Sequence, residues 1–176
     1  MRGQEADKPL RLQQYITEQS NVKIVIQKPS ECSLEDRQKF IDLVVSGDQN
    51  TPAHVKNSFK ELIWVGFLFE GSAIKAVTSL KEGDFDIFRK AGVEDYADDY
   101  PYEVGFSFTD PSSRGKGYNT LLKKKLFVKV NNQGIYATIR VTNKASLIVN
   151  KKLGFVPLGT PYKGIVTDVQ LMVLEN

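Results

Sequence analysis

The segment that most constrains this chain is a strand that runs into a glycine-rich turn and then into a helix. Tyr102–Thr109 alternates strictly. Tyr102, Val104, Phe106 and Phe108 point one way, and Glu103, Gly105, Ser107 and Thr109 the other. Pro111 ends the strand inside Asp110-Pro-Ser-Ser-Arg-Gly-Lys-Gly-Tyr-Asn119. From about Gly117 to Asn132, Tyr118, Leu122, Leu126 and Val130 recur by fours, which predicts a helix with one buried stripe. Ile135–Val141 reads as the next strand. A strand–helix–strand unit of this kind demands one parallel crossover.

The rest of the chain reads as strands paired by turns and a few helices. Val22–Ile26 is a short β-branched strand. Ser33 caps a helix that buries Phe40, Ile41, Val44 and Val45, and a second short helix covers Pro52–Lys60. Leu62–Phe69 and Ala73–Leu80 flank Glu70-Gly71-Ser72 and predict a hairpin. Asn143 caps a helix carrying Ala145, Ile148, Val149 and Leu153, which Gly154 ends. Phe155–Leu158 and Ile165–Leu174 close the sheet. The expected order is β-α-α-β-β-β-α-β-α-β-β, a mixed α/β domain with a mostly antiparallel sheet of six to seven strands flanked by helices. Residues 1–20 read as an N-terminal arm and 21–176 as one domain.

Composition narrows the function classes. At 176 residues the chain is long enough for one self-sufficient core. A net charge of +3 is too small to argue for a nucleic-acid partner. Cys32 is the only cysteine, so no internal disulfide can form, and no Cys/His cluster signals a metal. No apolar run approaches the roughly 18 residues that span a bilayer. The first twenty residues lack a signal-like apolar stretch. The expectation is a cytoplasmic protein without a membrane partner; a homodimer stays open.

The turn carries the chemistry. A glycine-rich turn entering a helix exposes backbone N–H groups, and the helix dipole adds about half a positive charge. Arg114 and Lys116 add formal charge. The segment therefore reads either as an anion site suited to a pyrophosphate or as a tight, solvated turn. It fits neither a Walker A loop nor a dinucleotide-binding fingerprint.

Arg114-Gly-Lys-Gly117-Tyr-Asn119 resembles motif A of the GNAT N-acetyltransferase superfamily, Arg/Gln-x-x-Gly-x-Gly/Ala. Arg114 and Gly117 match; Asn119 departs from the usual Gly or Ala, although Asn tolerates unusual backbone angles. Asn143-Lys-Ala-Ser-Leu-Ile-Val-Asn150-Lys-Lys-Leu-Gly154-Phe155 resembles motif B of the same family, with Asn143, Ser146, Lys152, Gly154 and Phe155 in place. The resemblance covers about residues 22–174. It implies a GNAT-like fold and transfer of acetyl from acetyl-CoA, without a metal, directly to a primary amine. In that reading Arg114, Gly115, Lys116, Gly117, Tyr118 and Asn119 hold the pyrophosphate. Phe106, Ser107, Phe108 and Thr109 align the pantetheine arm. Asn143, Asn150 and Lys152 complete the cofactor side. A tyrosine that often protonates the leaving thiolate would stand at position 150. Asn150 can offer only an amide hydrogen bond to the sulfur, or be a solvated helix residue.

The acceptor side is less defined. Glu103, eleven residues before Arg114, matches a position where some relatives carry a base glutamate; it reads as that base or as a polar-face residue. Residues 82–103 are rich in acid and read as a solvated loop or as an attractor for a cationic amine or protein lysine. His54 reads as a lone surface histidine. Most lysines of residues 114–129 read as the wet side of their helix. The alternative to an enzyme is a GNAT-fold module that binds CoA or a partner with little catalysis, which Asn119 and Asn150 favour.

Overall fold

The computed structural model describes residues 21–131 and 133–174. The expected N-terminal arm, residues 1–20, lies outside them, as does Asn132 at the expected end of the central helix. Eight strands form one sheet: β1 Val22–Gln27, β2 Leu62–Glu70, β3 Ala73–Glu82, β4 Tyr102–Thr109, β5 Ile135–Arg140, β6 Phe155–Pro157, β7 Tyr162–Lys163 and β8 Asp168–Leu174. They are ordered β1-β2-β3-β4-β5-β8-β6, with β7 also paired to β8. Among the described residues only β4 and β5 pair in parallel. The sheet is thus mixed and mostly antiparallel, as expected, and the two-residue β7 makes the eighth strand. Ile165 and Val166 lie exposed in the turn before β8, so that strand starts later than its apolar run suggests.

Among the described residues five α-helices flank the sheet: α1 Leu34–Val45, α2 Pro52–Ser58, α3 Phe85–Lys90, α4 Tyr118–Phe127 and α5 Lys144–Lys152. Ser33, Thr51, Asp84 and Asn143 cap α1, α2, α3 and α5 by accepting backbone N–H groups of the first turn. Phe40, Ile41 and Val44 of α1 and Val55 of α2 bury one face of the sheet with Phe59, Val65, Phe67 and Val77. On the opposite face Leu122 of α4 packs with Leu68 and Ala76, and Leu126 packs with Leu80, Val104 and Ile139. Gly66 makes the close approach of α4 possible. A Cβ there would stand 3.0 Å from Ile26 Cδ1 and 3.2 Å from Leu122 Cδ1.

Two irregularities shape the site. The first is a bulge in β4. Val77 pairs with Phe108 but Ser79 pairs with Gly105, so Phe106 and Ser107 together oppose Thr78. Phe106 takes a φ of 44°, in the left-handed region that a bulky residue avoids. The cost, about 1–3 kcal/mol, is offset locally. The Phe106 ring packs edge-on against His54 at 5.6 Å, and Ser79 Oγ donates to the Gly105 carbonyl at 3.0 Å. The expected strict alternation is overturned here. Tyr102 and Val104 stay on the α4 side, whereas Phe106 and Phe108 cross to the α1 side. An inserted residue reverses every side chain after it.

The second is a split. β4 pairs with β5 only at Tyr102–Ile135 and Glu103–Tyr136. Beyond that point β4 continues with β3, and β5 continues with β8. The sheet opens into a wedge, and among the described residues the edge of β4 facing it has no strand partner. Among the described residues no helix is long and apolar enough to cross a membrane.

Candidate functional site

Two adjoining cavities fill the wedge. The first, about 460 Å³, lies between β4, the glycine turn, α5 and the loop after α1. Ser107, Phe108, Thr109, Arg114, Gly115, Gly117, Tyr118, Asn119, Asn143 and Lys152, all picked out from the sequence, line it. Gly115 and Gly117 have φ of 80° and 75°, so the turn requires glycine at both positions. Among the described residues nothing accepts from the backbone amides of Gly115 through Thr120, the donors of the turn and of the first turn of α4. Ser113 lines the same cavity, is only 1% exposed, and its hydroxyl has no hydrogen-bond partner among the described residues. A buried hydroxyl in that state is uncommon and is open to a ligand or a water. Arg114 sits over the Phe108 ring at 5.7 Å.

Two expectations about this turn need correction. Lys116 does not line the cavity. Its Nζ donates to Glu70 Oε1 at 2.8 Å, and Tyr118 donates to the same oxygen at 2.7 Å. This pair holds the Glu70 carboxyl below and the Lys116 ammonium above their ordinary ranges. The charge of Lys116 therefore meets a carboxylate on β2, leaving Arg114 and Lys152 as the cations of the first cavity. Asn119 needs no unusual backbone, because it is the second residue of α4 and the turning is done by the glycines.

The second cavity, about 310 Å³, reaches through the split; Gln49, Asn50, Ser107, Asn143 and Ser146 line both cavities. Glu103, Phe106 and His54 line it. Glu103 is only 6% exposed. Its Oε1 accepts from Thr138 Oγ1 at 2.7 Å, and its Oε2 from Lys81 Nζ at 2.8 Å and from Tyr136 at 3.3 Å. A carboxylate has about four acceptor positions, so one remains for a substrate or water. The Tyr136 hydroxyl also accepts from the Asp84 amide at 2.8 Å. Burial, with Glu103 beside it, pushes the Tyr136 phenol well above its ordinary pKa. Burial and the same carboxylate raise Tyr162 to about 12.

Lys123 was expected on the wet side of α4. It is 3% exposed and lines the second cavity. Its Nζ donates to Asn150 Oδ1 at 3.1 Å, and burial pushes its pKa down to about 8. Asn150 is buried too and lines neither cavity. Its Nδ2 donates to the Ser146 carbonyl at 2.8 Å. With both ends of the amide committed, its NH₂ is not presented to a ligand sulfur. Neither residue could be placed from the sequence. An α4 with lysines at 123, 124 and 125 gives no sign of which one turns inward.

The loop after α1 was also missed. Gly47 packs so near Phe108 that a Cβ would stand 2.9 Å from that ring, and Arg140 donates to the Gln49 carbonyl at 2.9 Å. These two contacts bring Gln49 and Asn50 over the wedge. The acidic stretch is partly helical and packs Phe88 and Ala91 into the core, with most of its carboxylates away from both cavities. Of its carboxylates only Glu103 lines either cavity, and Asp86 pairs with Arg89 and Lys90.

No family model matches the sequence, and no curated protein does. Solved structures do. ElaA of Escherichia coli aligns with a TM-score of 0.66 at 15% identity, over 88% of this chain and 99% of its own. A putative acetyltransferase of Salmonella typhimurium, yncA, solved with its cofactor acetyl-CoA, gives 0.59 at 19% identity over 89% and 94%. The ribosomal-protein-S18-alanine N-acetyltransferase of Escherichia coli gives 0.61 at 13% identity over 86% and 93%. The overall fold of these acetyltransferases is thus shared: this chain has the fold of the GNAT acetyltransferases.

Proposed function

We propose that this chain is an acyl-CoA-dependent N-acetyltransferase. The observation that carries the reading is the continuity of the first cavity. An unpaired strand edge leads into free backbone amides at a helix N-terminus, beside a buried, unpartnered Ser113 hydroxyl. A pyrophosphate with an extended, amide-bearing arm has the chemistry to satisfy all three. Acetyl-CoA, present in the solved yncA structure, is such a molecule and supplies an acetyl group on a good leaving group. Here Arg114, Gly115, Gly117, Asn119 and Ser113 would hold the pyrophosphate, and Ser107 to Thr109 the arm.

The second cavity serves the acceptor. An ammonium entering it loses one proton to Glu103, directly or through water. The freed nitrogen lone pair attacks the thioester carbonyl carbon, and the carbon–sulfur bond breaks. The second nitrogen proton ends on the departing thiolate. The sum is an ammonium plus acetyl-CoA giving an N-acetyl amine, free CoA and one proton.

Acetyl-CoA is expected to stabilise the folded protein by about 2–3 kcal/mol at a hundredfold excess over its dissociation constant, read as a rise in melting temperature. Gly117→Asp should abolish that rise by placing a carboxylate where the pyrophosphate binds. Because Gly117 has a positive φ, Ser113→Ala gives a second, gentler test. It should weaken acetyl-CoA by about tenfold, the cost of one hydrogen bond to a charged group, with little change in stability without ligand. Unchanged affinity in both variants would remove the glycine turn from the cofactor site. Tight CoA binding with no acceptor-dependent thiol release would refute the transferase reading.

A further inference from the structure

The charge of the second cavity says what else the acceptor carries. Among the described residues its walls hold the cations Lys81, Lys123 and Arg140 and a single acid, Glu103. Glu103 and Lys81 neutralise each other at 2.8 Å. Among the described residues Lys123 and Arg140 have no carboxylate partner. Arg140 is half-buried and makes one side-chain hydrogen bond, to the Gln49 carbonyl. A guanidinium has five N–H donors arranged as a fork that fits a carboxylate, so most of its capacity faces no protein group. A polycation entering here would meet uncompensated positive charge from Lys123 and Arg140.

The spacing is also informative. Thr138 and Arg140 are alternate residues of β5 and lie on the same side of the strand, about 7 Å apart along it. Thr138 holds Glu103. A nitrogen beside Glu103 and an anion at Arg140 are thus one strand repeat apart, the reach of a small molecule with both groups a few bonds from each other. The cavity, about 310 Å³, is at the small end of ligand sites.

We propose that the acceptor is a small amine that also bears a carboxylate, an amino acid or related amino-carboxylate, with its amine at Glu103 and its carboxylate in the fork of Arg140. This rests on the N-acetyltransferase reading and narrows its acceptor. Arg140 is then a specificity residue, invisible in the sequence because it ends an ordinary strand.

The test is a panel of acceptors with acetyl-CoA: free amino acids, the same amino acids as primary amides, spermidine, an aminoglycoside and phosphoethanolamine. Acetylated product is read by mass and CoA release by thiol detection. Free amino acids should exceed their amides by at least about tenfold in kcat/KM, the scale of one lost charged hydrogen bond. Arg140→Gln should lower kcat/KM for the free amino acids by about 10–100-fold, mainly through KM, and should lower it for the amides by at least about tenfold less, the part common to both coming from the lost Gln49 contact. Arg140→Lys should restore part of the loss. Preference for spermidine, the aminoglycoside or phosphoethanolamine would overturn the proposal while leaving the transferase reading standing. So would an Arg140→Gln loss that is equal for acid and amide, since that marks a structural role. Acetyl-CoA binding with no product from any amine would overturn both.

Discussion

Glu103→Gln is expected to lower kcat by about 10²–10⁴-fold while leaving the acetyl-CoA-induced rise in melting temperature unchanged. The substitution keeps the shape of the side chain and removes its basicity. Its neighbours can tolerate the change. Thr138 and Tyr136 are hydroxyls that can accept as well as donate, and Lys81 is partly exposed and can turn to water. Raising the pH should recover part of the rate, because more of the acceptor is then already neutral. Glu103 also organises Tyr136 and Thr138, so a loss of rate has a second possible source. Thr138→Val separates the two by deleting one donor and keeping the carboxylate. It should cost less than about tenfold, the scale of a single hydrogen bond. A Glu103→Gln enzyme with wild-type turnover at neutral pH would exclude Glu103 as the base. A Thr138→Val loss as large as that of Glu103→Gln would assign the effect to positioning.

The sequence was most legible where local chemistry decides the structure. Ser33 and Asn143 cap the helices they were expected to cap, and Gly115 and Gly117 turn the chain as a tight turn before a helix requires. The β2–β3 hairpin and the single parallel crossover followed from turn residues and element order. What remained hidden depends on residues far apart in the chain. The β4 bulge is set by Thr78, Ser79 and His54, none of which is adjacent to Phe106 in sequence. Without that context an alternating run reads as a regular strand. Lys116 and Glu70 are 46 residues apart, so nothing local announced that the lysine of the turn is already paired. Asn150 stood out only as a departure from a pattern. Its meaning came from Lys123, 27 residues away on another helix. The second cavity draws on the loop after α1, on α2, on β4 and on β5, whereas the sequence motifs cover only the glycine turn and α5, so they say little about it.

The stability of the wild-type protein should rise between pH 7 and pH 9.5, and Lys123→Met should remove most of that rise. Lys123 is buried with one neutral acceptor, Asn150 Oδ1, and its pKa falls from 10.5 in the unfolded chain to about 8 in the folded one. Between these values the unfolded chain holds a proton that the folded chain has released. The unfolded state therefore binds more protons, and unfolding free energy increases with pH. The gain is about 2 kcal/mol by pH 9.5 and approaches about 3 kcal/mol at full separation. Other groups work in the opposite direction, among them Cys32, Lys116, Tyr118, Tyr136 and Tyr162. Burial raises the thiol of Cys32 above 9.0 and the phenol of Tyr136 above 10.0, so each keeps its proton longer in the folded state and removes stability as pH climbs past its unfolded value. All of these groups remain in Lys123→Met, so the difference between the two proteins isolates the lysine. Met is unbranched and similar in length, and it fills the same space without a charge. It leaves Asn150 Oδ1 without its donor, a penalty of about 1–3 kcal/mol that does not vary with pH. The absolute stability of the variant can therefore move either way, but its slope against pH cannot. Urea midpoints of both proteins at half-unit steps from pH 7 to pH 9.5 give that slope. Parallel curves would mean that Lys123 titrates as an exposed lysine and is not held in the cavity wall.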